Sequence, residues 1–255
     1  MTIHLADLSG LMLVYMLVFA RVGAMIMLLP AIGDVGVPQR VRLSLAFAVT
    51  LCFAPAIAHA YPSTAPQSTM ALVVLLIREI VSGALIGTMA RIIVSGLVTA
   101  GFLIATQTGL AYAQSVDPSM SEQGAVVGNF FSLLGTTLIF VTDLHHLAIG
   151  AIQGSFVLLP PGQPLPTGDL AELAIRLVSG SFVLGLKLAA PFLLFGFAVN
   201  AATALLARMM PQLQIFFIAM PVNILAGFFL MMLLMGTMMT IFLDYFAQEM
   251  GRLGG

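Results

Sequence analysis

The sequence predicts an all-α membrane protein, and three observations carry that prediction. Sixty per cent of the 255 residues are hydrophobic and only 7% are charged. The mean hydropathy is +1.11. Apolar tracts long enough to cross a bilayer, which takes about 20 residues, recur along the chain. Nine basic and ten acidic side chains cannot cover the surface of a soluble domain this size. A net charge of −1 leaves no basic footprint, which argues against nucleic acid as a primary partner. The lone cysteine, Cys52, excludes an intrachain disulfide.

The elements follow in order. Leu11–Leu29 is the first helix, ended by Pro30, and no Lys or Arg precedes it. Without the positive flank of a cleaved signal peptide, it is expected to remain as a helix. A polar link, Gly33–Arg42, leads to a second helix at Leu43–Ala58. Tyr61–Thr69, with Pro62 and Pro66 and no charge, reads as a loop. A third apolar stretch, Met70–Thr106, is too long for one straight crossing and is expected to bend or end near Gly101. Gln107–Gln123 is irregular, and Asp117-Pro118 imposes a turn within it.

A fourth helix, Gly124–Val141, meets a polar kink at Thr142–His146. Leu147–Leu159 is too short to span alone. After the Pro/Gly-rich loop Pro160–Asp169 come two long tracts, Leu177–Ala207 and Ile215–Leu243, separated by the polar break Arg208–Gln214. Each tract is about 30 residues, so a straight helix runs about 45 Å against a hydrocarbon core of about 30 Å. Lys187, Pro191, Asn200, Pro221 and Asn223 interrupt the two tracts. A hairpin so long and so interrupted implies that other protein covers part of it. No repeat or composition shift marks a boundary, so residues 1–255 are expected to form one helical domain.

Topology is in conflict with a simple six-span count. Arg40 and Arg42 assign the first loop to the cytoplasm, yet Arg208 and Arg252 flank opposite ends of the last tract.

Several constellations stand out. Glu79, Gly83, Gly87 and Arg91 recur every four residues and so share one helix face. Its two glycines admit a close backbone, and its charges need partners away from lipid. Gly124-x3-Gly128 and Gly150-x3-Gly154 repeat the spacing. Arg21 lies midway in the first tract and Lys187 inside the penultimate one. A Lys or Arg at the centre of a spanning helix costs about 2.5–3.5 kcal/mol. Each is therefore expected to be functional or ion-paired, for instance with Glu79 or Asp244.

Asp143-Leu144-His145-His146 lacks the spacing of a metal site, because adjacent histidines on a helix diverge by about 100°. No metal or other cofactor is expected, and no nucleophile, paired carboxylate or phosphate-cradling loop is present, so the chain reads as a non-enzyme. Met231, Met232, Met235, Met238 and Met239 form a cluster suited to soft packing. Thr106, Gln107, Thr108, Gln114, Ser115 and Asp117 give the irregular Gln107–Gln123 stretch its polarity. At membrane depth such backbone lines or blocks a passage; at the surface it is a connector.

Taken in order, these fragments resemble the FliR-type flagellar biosynthesis family, the export-gate subunits of flagellar type III secretion. The likeness runs through Arg21-Val22 to Pro30, Val37-Pro38-Gln39-Arg40-Val41-Arg42-Leu43, Glu79-x3-Gly83-x3-Gly87, Gly101, Gln107-x-Gly109 and Val116-Asp117-Pro118. It continues with His145, Leu147, Ser155-Phe156-x3-Pro160, Leu186-x-Leu188-Ala189-Ala190-Pro191, Arg208-Met209-Met210-Pro211-Gln212-Leu213 and Pro221. Where the family often has a Gly-rich or Asn-Gly turn before its histidine, this chain has Thr142-Asp143-Leu144.

The resemblance implies a hetero-oligomeric helical gate in the bacterial inner membrane, within the flagellar basal body. It implies FliP-like and FliQ-like membrane subunits, an FlhB-like protein at the cytoplasmic mouth, and unfolded protein substrates. Residues 1–170 are implied to be FliP-like and 171–255 a FliQ-like hairpin with its tip at Arg208, Pro211 and Gln212. Thr106, Gln107, Gly109, Gln114, Asp117 and Pro118 are implied to belong to a plug in the closed channel. Arg21, Glu79, Gly83, Gly87, Arg91 and Lys187 form the intramembrane charge and packing set. Injectisome export-gate subunits share the architecture, and a small-solute secondary transporter is the rival reading from broken helices and buried charge.

Overall fold

The computed structural model describes residues 5–30, 32–34, 36–61, 68–111, 126–210 and 215–254. Among them the ordered elements are helices. They are α1 (Leu5–Leu28), α2 (Gln39–Ile57) with a 3-10 turn Ala58–Ala60, α3 (Thr69–Gln107), α4 (Val126–Val141), α5 (His145–Leu158), α6 (Thr167–Met209) and α7 (Ile215–Gly254). Among the described residues, five helices are long and apolar enough to cross a membrane, or up to six spans if the bent pair α4 and α5 counts as one.

Local chemistry sets the ends. Pro30 follows α1, and Pro38 precedes α2, where its fixed φ suits a helix entrance. Arg208 lies in the last turn of α6, where a cation favours the exposed carbonyls. α3 runs unbroken through Gly101 to Gln107, so of the bend or end expected near Gly101, the end does not occur. Gly101 instead lies against Gly128 of α4, at a distance that leaves no room for a Cβ. The glycine there permits a close helix crossing and does not end the helix.

The kink at Thr142–His146 is sharp. α4 and α5 meet at 83°, and Asp143 takes φ +60°, the left-handed region that Gly, Asn and Asp tolerate best. α6 and α7 pass through Pro191 and Pro221 without breaking. Each proline withholds one backbone N–H, so the carbonyl of Lys187 loses its usual helical donor.

The chain forms two compact units. Unit 1 comprises Met1–Ile93, Ile139–Leu177 and Ala247–Gly255. In it α1 packs on α2, with Phe19 and Phe47 edge to face at 6.4 Å. Its core includes Leu17, Val18, Val22, Met25 and Ile26 of α1. Unit 2 comprises Val94–Leu138 and Val178–Phe246. Its core includes Leu97, Ala100 and Ile104 of α3, Phe131 of α4, Leu184, Leu188 and Phe192 of α6, and Phe242 and Phe246 of α7.

Candidate functional site

Unit 1 is organised around Arg21. Its Nε donates to Oε2 of Glu79 at 2.6 Å, and its Nη1 donates to the carbonyls of Ser155 at 3.0 Å and Leu159 at 2.8 Å. Those carbonyls close the C-terminal end of α5, where the dipole favours a cation; Ser155 O also accepts the Leu159 backbone N–H at 3.0 Å. The guanidinium carbon stands 4.3 Å from the Phe156 ring centroid, adding a cation–π contact. Tyr61 donates its hydroxyl to the same Glu79 oxygen at 3.1 Å and meets Phe156 edge to face. Burial pushes the Tyr61 phenol well above its usual range; the Glu79 charge adds to this and the Arg21 charge opposes it. Of the two partners expected for Arg21, Glu79 is the one it meets.

The Glu79–Arg91 face of α3 packs on α1. A Cβ at Gly83 would strike the Arg21 carbonyl, and one at Gly87 would sit 2.8 Å from Leu28 Cβ and 2.9 Å from Met25 O. The neighbour these glycines admit therefore belongs to the same chain. At the far end Arg91 lies 3.6 Å from Asp34, with both side chains about half exposed. Such a pair contributes little by itself.

Unit 2 holds the described part of the expected plug segment. Thr106 returns its hydroxyl to Phe102 O at 2.6 Å. The Gln107 side chain lies across Gly196 of α6, and the Thr108 side chain lies across Gly227 of α7; a Cβ at Gly227 would meet Thr108 Cβ at 2.7 Å, while one at Gly196 would push aside the flexible end of Gln107. Asn223 Nδ2 of α7 donates to Gln107 O at 3.4 Å. Gly109, at φ +79°, turns the chain out of α3. Thr108 and Gly109 are buried. Gln114, Asp117 and Pro118 lie outside the described residues, as do Pro211 and Gln212 of the hairpin tip; Arg208 at that tip is exposed.

Lys187 and Asp244 are both exposed, and neither forms an ion pair among the described residues. The methionine cluster divides around α7. Met231, Met238 and Met239 are buried, while Met232 is 74% exposed. Met231, Met232 and Met235 line an apolar groove of about 580 Å³ with Phe130 and Phe228.

Two features escaped the sequence reading. Asp143, turned by its left-handed backbone, brings a third ligand atom to within 4.8 Å of those of His145 and His146. The glycines that receive Gln107 and Thr108, Gly196 and Gly227, stand on tracts remote in sequence and carry no local signal.

Buried charge tied to helix ends, glycine-mediated helix contacts and long apolar helices define a multi-span membrane protein built for close helix packing. Residues 12–249 match the family model described as bacterial export proteins, family 1. The chain is 41% identical to the flagellar biosynthetic protein FliR of Caulobacter vibrioides over 91% of its own length and 92% of that protein's. It is 30% identical to FliR of Escherichia coli, covering 84% of this chain and 81% of that one. It is 27% identical to the Yop proteins translocation protein T of Yersinia pestis, over 65% of this chain and 66% of that protein. The chain belongs to the bacterial export family 1, and it is a membrane component of flagellar type III protein export.

Proposed function

We propose that the chain forms part of the wall and plug of the flagellar export gate in the inner membrane, without catalysing a reaction. The observation that carries this reading is the 41% identity, over nearly the full length of both chains, to a protein named for flagellar biosynthesis. Its partners are FliP-like and FliQ-like subunits, with residues 171–255 as a FliQ-like hairpin, 1–170 as a FliP-like part, and an FlhB-like protein at the cytoplasmic mouth. Unfolded flagellar subunits pass through the opened gate. The exposed apolar side chains of the hairpin helices support this, among them Leu194, Phe197, Leu225 and Phe229, each 66–76% exposed. So large an unpartnered apolar surface suits subunit packing as well as lipid.

The plug reading rests on Gln107–Gly109, which lead into residues 112–121. Deleting 112–121 in cells tests it: small-ion leak is expected to rise while the subunits still co-purify. A tight membrane with unchanged secretion rejects the plug. A lone monomer, stable in gentle detergent and competent for solute uptake, rejects the gate itself. The injectisome alternative has less support, because its relative covers 65% of the chain.

A further inference from the structure

We propose that the turn Gln107–Gly109 is a releasable latch that ties the end of α3 to α6 and α7 in the closed state, with Asn223 as its positioning residue. The inference rests on the plug reading above. Three observations in unit 2 carry it.

First, two consecutive side chains are received by two glycines on different helices, Gln107 by Gly196 and Thr108 by Gly227; a Cβ at Gly227 would lie 2.7 Å from Thr108 Cβ, and one at Gly196 would displace the end of the Gln107 side chain and stand 3.1 Å from its Cβ. Such a notch fixes the position of the turn by shape. Second, the polar grip is slight. The Asn223–Gln107 hydrogen bond is long at 3.4 Å, and Oδ1 of the same amide is buried without a partner among the described residues. The Thr108 hydroxyl bonds back to Ile104 O at 2.9 Å and so spends its donor within α3. A turn held by fit and one weak bond separates without breaking a strong network.

Third, each receiving helix carries a proline one to two turns before its glycine. Pro191 precedes Gly196 by five residues and Pro221 precedes Gly227 by six, and each removes one helical hydrogen bond, at the carbonyls of Lys187 and Phe217. Gly109 takes φ +79°, and a Cβ there would stand 3.4 Å from Asn223 Nδ2, so the turn stays against the same amide. Movement of α6 or α7 at these points shifts the seat of Gln107 and Thr108, and with it the start of the segment that follows.

Two experiments test the latch in the intact assembly. Gly196→Ala and Gly227→Ala favour the helices they sit in but fill the notch, and Asn223→Leu removes the polar grip. Each is expected to raise small-ion leak several-fold while membrane levels and co-purified subunits stay at those of the parent. The second experiment uses a Cys52→Ser background, which removes the only native thiol. Gln107→Cys with Gly196→Cys brings the two Cβ atoms to 3.1 Å, a few tenths of an ångström inside the disulfide range of about 3.5–4.5 Å, so a slight outward shift of the turn seats the bond.

Oxidation is expected to block secretion, and reductant to restore it. Full secretion with the disulfide formed overturns the latch, as does parental tightness in all three single variants. If deleting 112–121 leaks and these variants do not, the latch fails and the plug stands. If the deletion does not leak but the cross-link still blocks secretion, the plug fails and the hinge at Gln107–Gly109 stands.

Discussion

Arg21 and Glu79 are 58 residues apart in sequence, yet their Nε and Oε2 atoms meet at 2.6 Å with each side chain at most 2% exposed. One guanidinium thereby joins α1 to α3 and to the C-terminal end of α5. Removing one member of a buried pair leaves the other charge unpaired, which costs about 3–5 kcal/mol. Arg21→Ala and Glu79→Ala are each expected to lower the melting temperature sharply in detergent and to reduce membrane levels. Arg21→Lys is expected to recover little, because a single ammonium cannot reproduce the forked contacts. A melting curve for Arg21→Lys equal to the parent's would contradict this assignment.

Gly83→Ala and Gly87→Ala set two effects against each other. Alanine favours a helix over glycine by about 1 kcal/mol. The added methyl meets the Arg21 carbonyl or Met25 and Leu28 of α1, and overpacking costs about 1–3 kcal/mol or more. Net destabilisation is expected at both, larger at Gly83, where the opposing backbone carbonyl stands closer. Gly150→Ala is the control, since nothing lies within 4 Å of a Cβ there. Thermal unfolding of the three variants side by side decides it.

Asp143 holds the 83° bend at φ +60°. Asp143→Gly is expected to stabilise by about 1 kcal/mol through relief of left-handed strain, and Asp143→Val to destabilise by about 1–2 kcal/mol. Equal stability of the two variants would show that the turn does not depend on this backbone state.

Tyr61 gives a pH test. Its phenol is raised by burial and by Glu79, so the folded state keeps the proton at a pH where the unfolded chain, with an ordinary value of about 10, has lost it. The unfolded state then binds fewer protons, and stability falls as pH rises above about 10. Below that pH the contribution is fully present and constant. The difference in melting temperature between the parent and Tyr61→Phe is expected to be flat from pH 6 to 9 and to shrink above about 10. A constant difference throughout would refute the assignment.

The helices were largely legible because bilayer-length apolar tracts and proline boundaries are local signals. Gly101 is the exception: the glycine pattern predicts a bend or an end there, and the helix does not end. Whether a glycine ends a helix or admits another backbone depends on what stands opposite, and Gly128 is 27 residues away. The His145-His146 pair was dismissed as a metal site on ideal helix geometry. In the fold the ligand atoms of Asp143, His145 and His146 lie within 4.8 Å of one another, a proximity that the spacing did not announce and that does not by itself make a metal site.

By itself the sequence determined the class: an all-α membrane protein, with motifs in the order of a flagellar export family. Hydrophobic length and turn chemistry act over a few residues, so they can be read along the chain. Only the tertiary structure decided that Arg21 answers Glu79, that the Gly83 and Gly87 face closes on α1, and that Gly196 and Gly227 receive Gln107 and Thr108. Those pairings are set by which surfaces fit once the helices pack. A buried charge or a missing Cβ states a need for a partner without naming it.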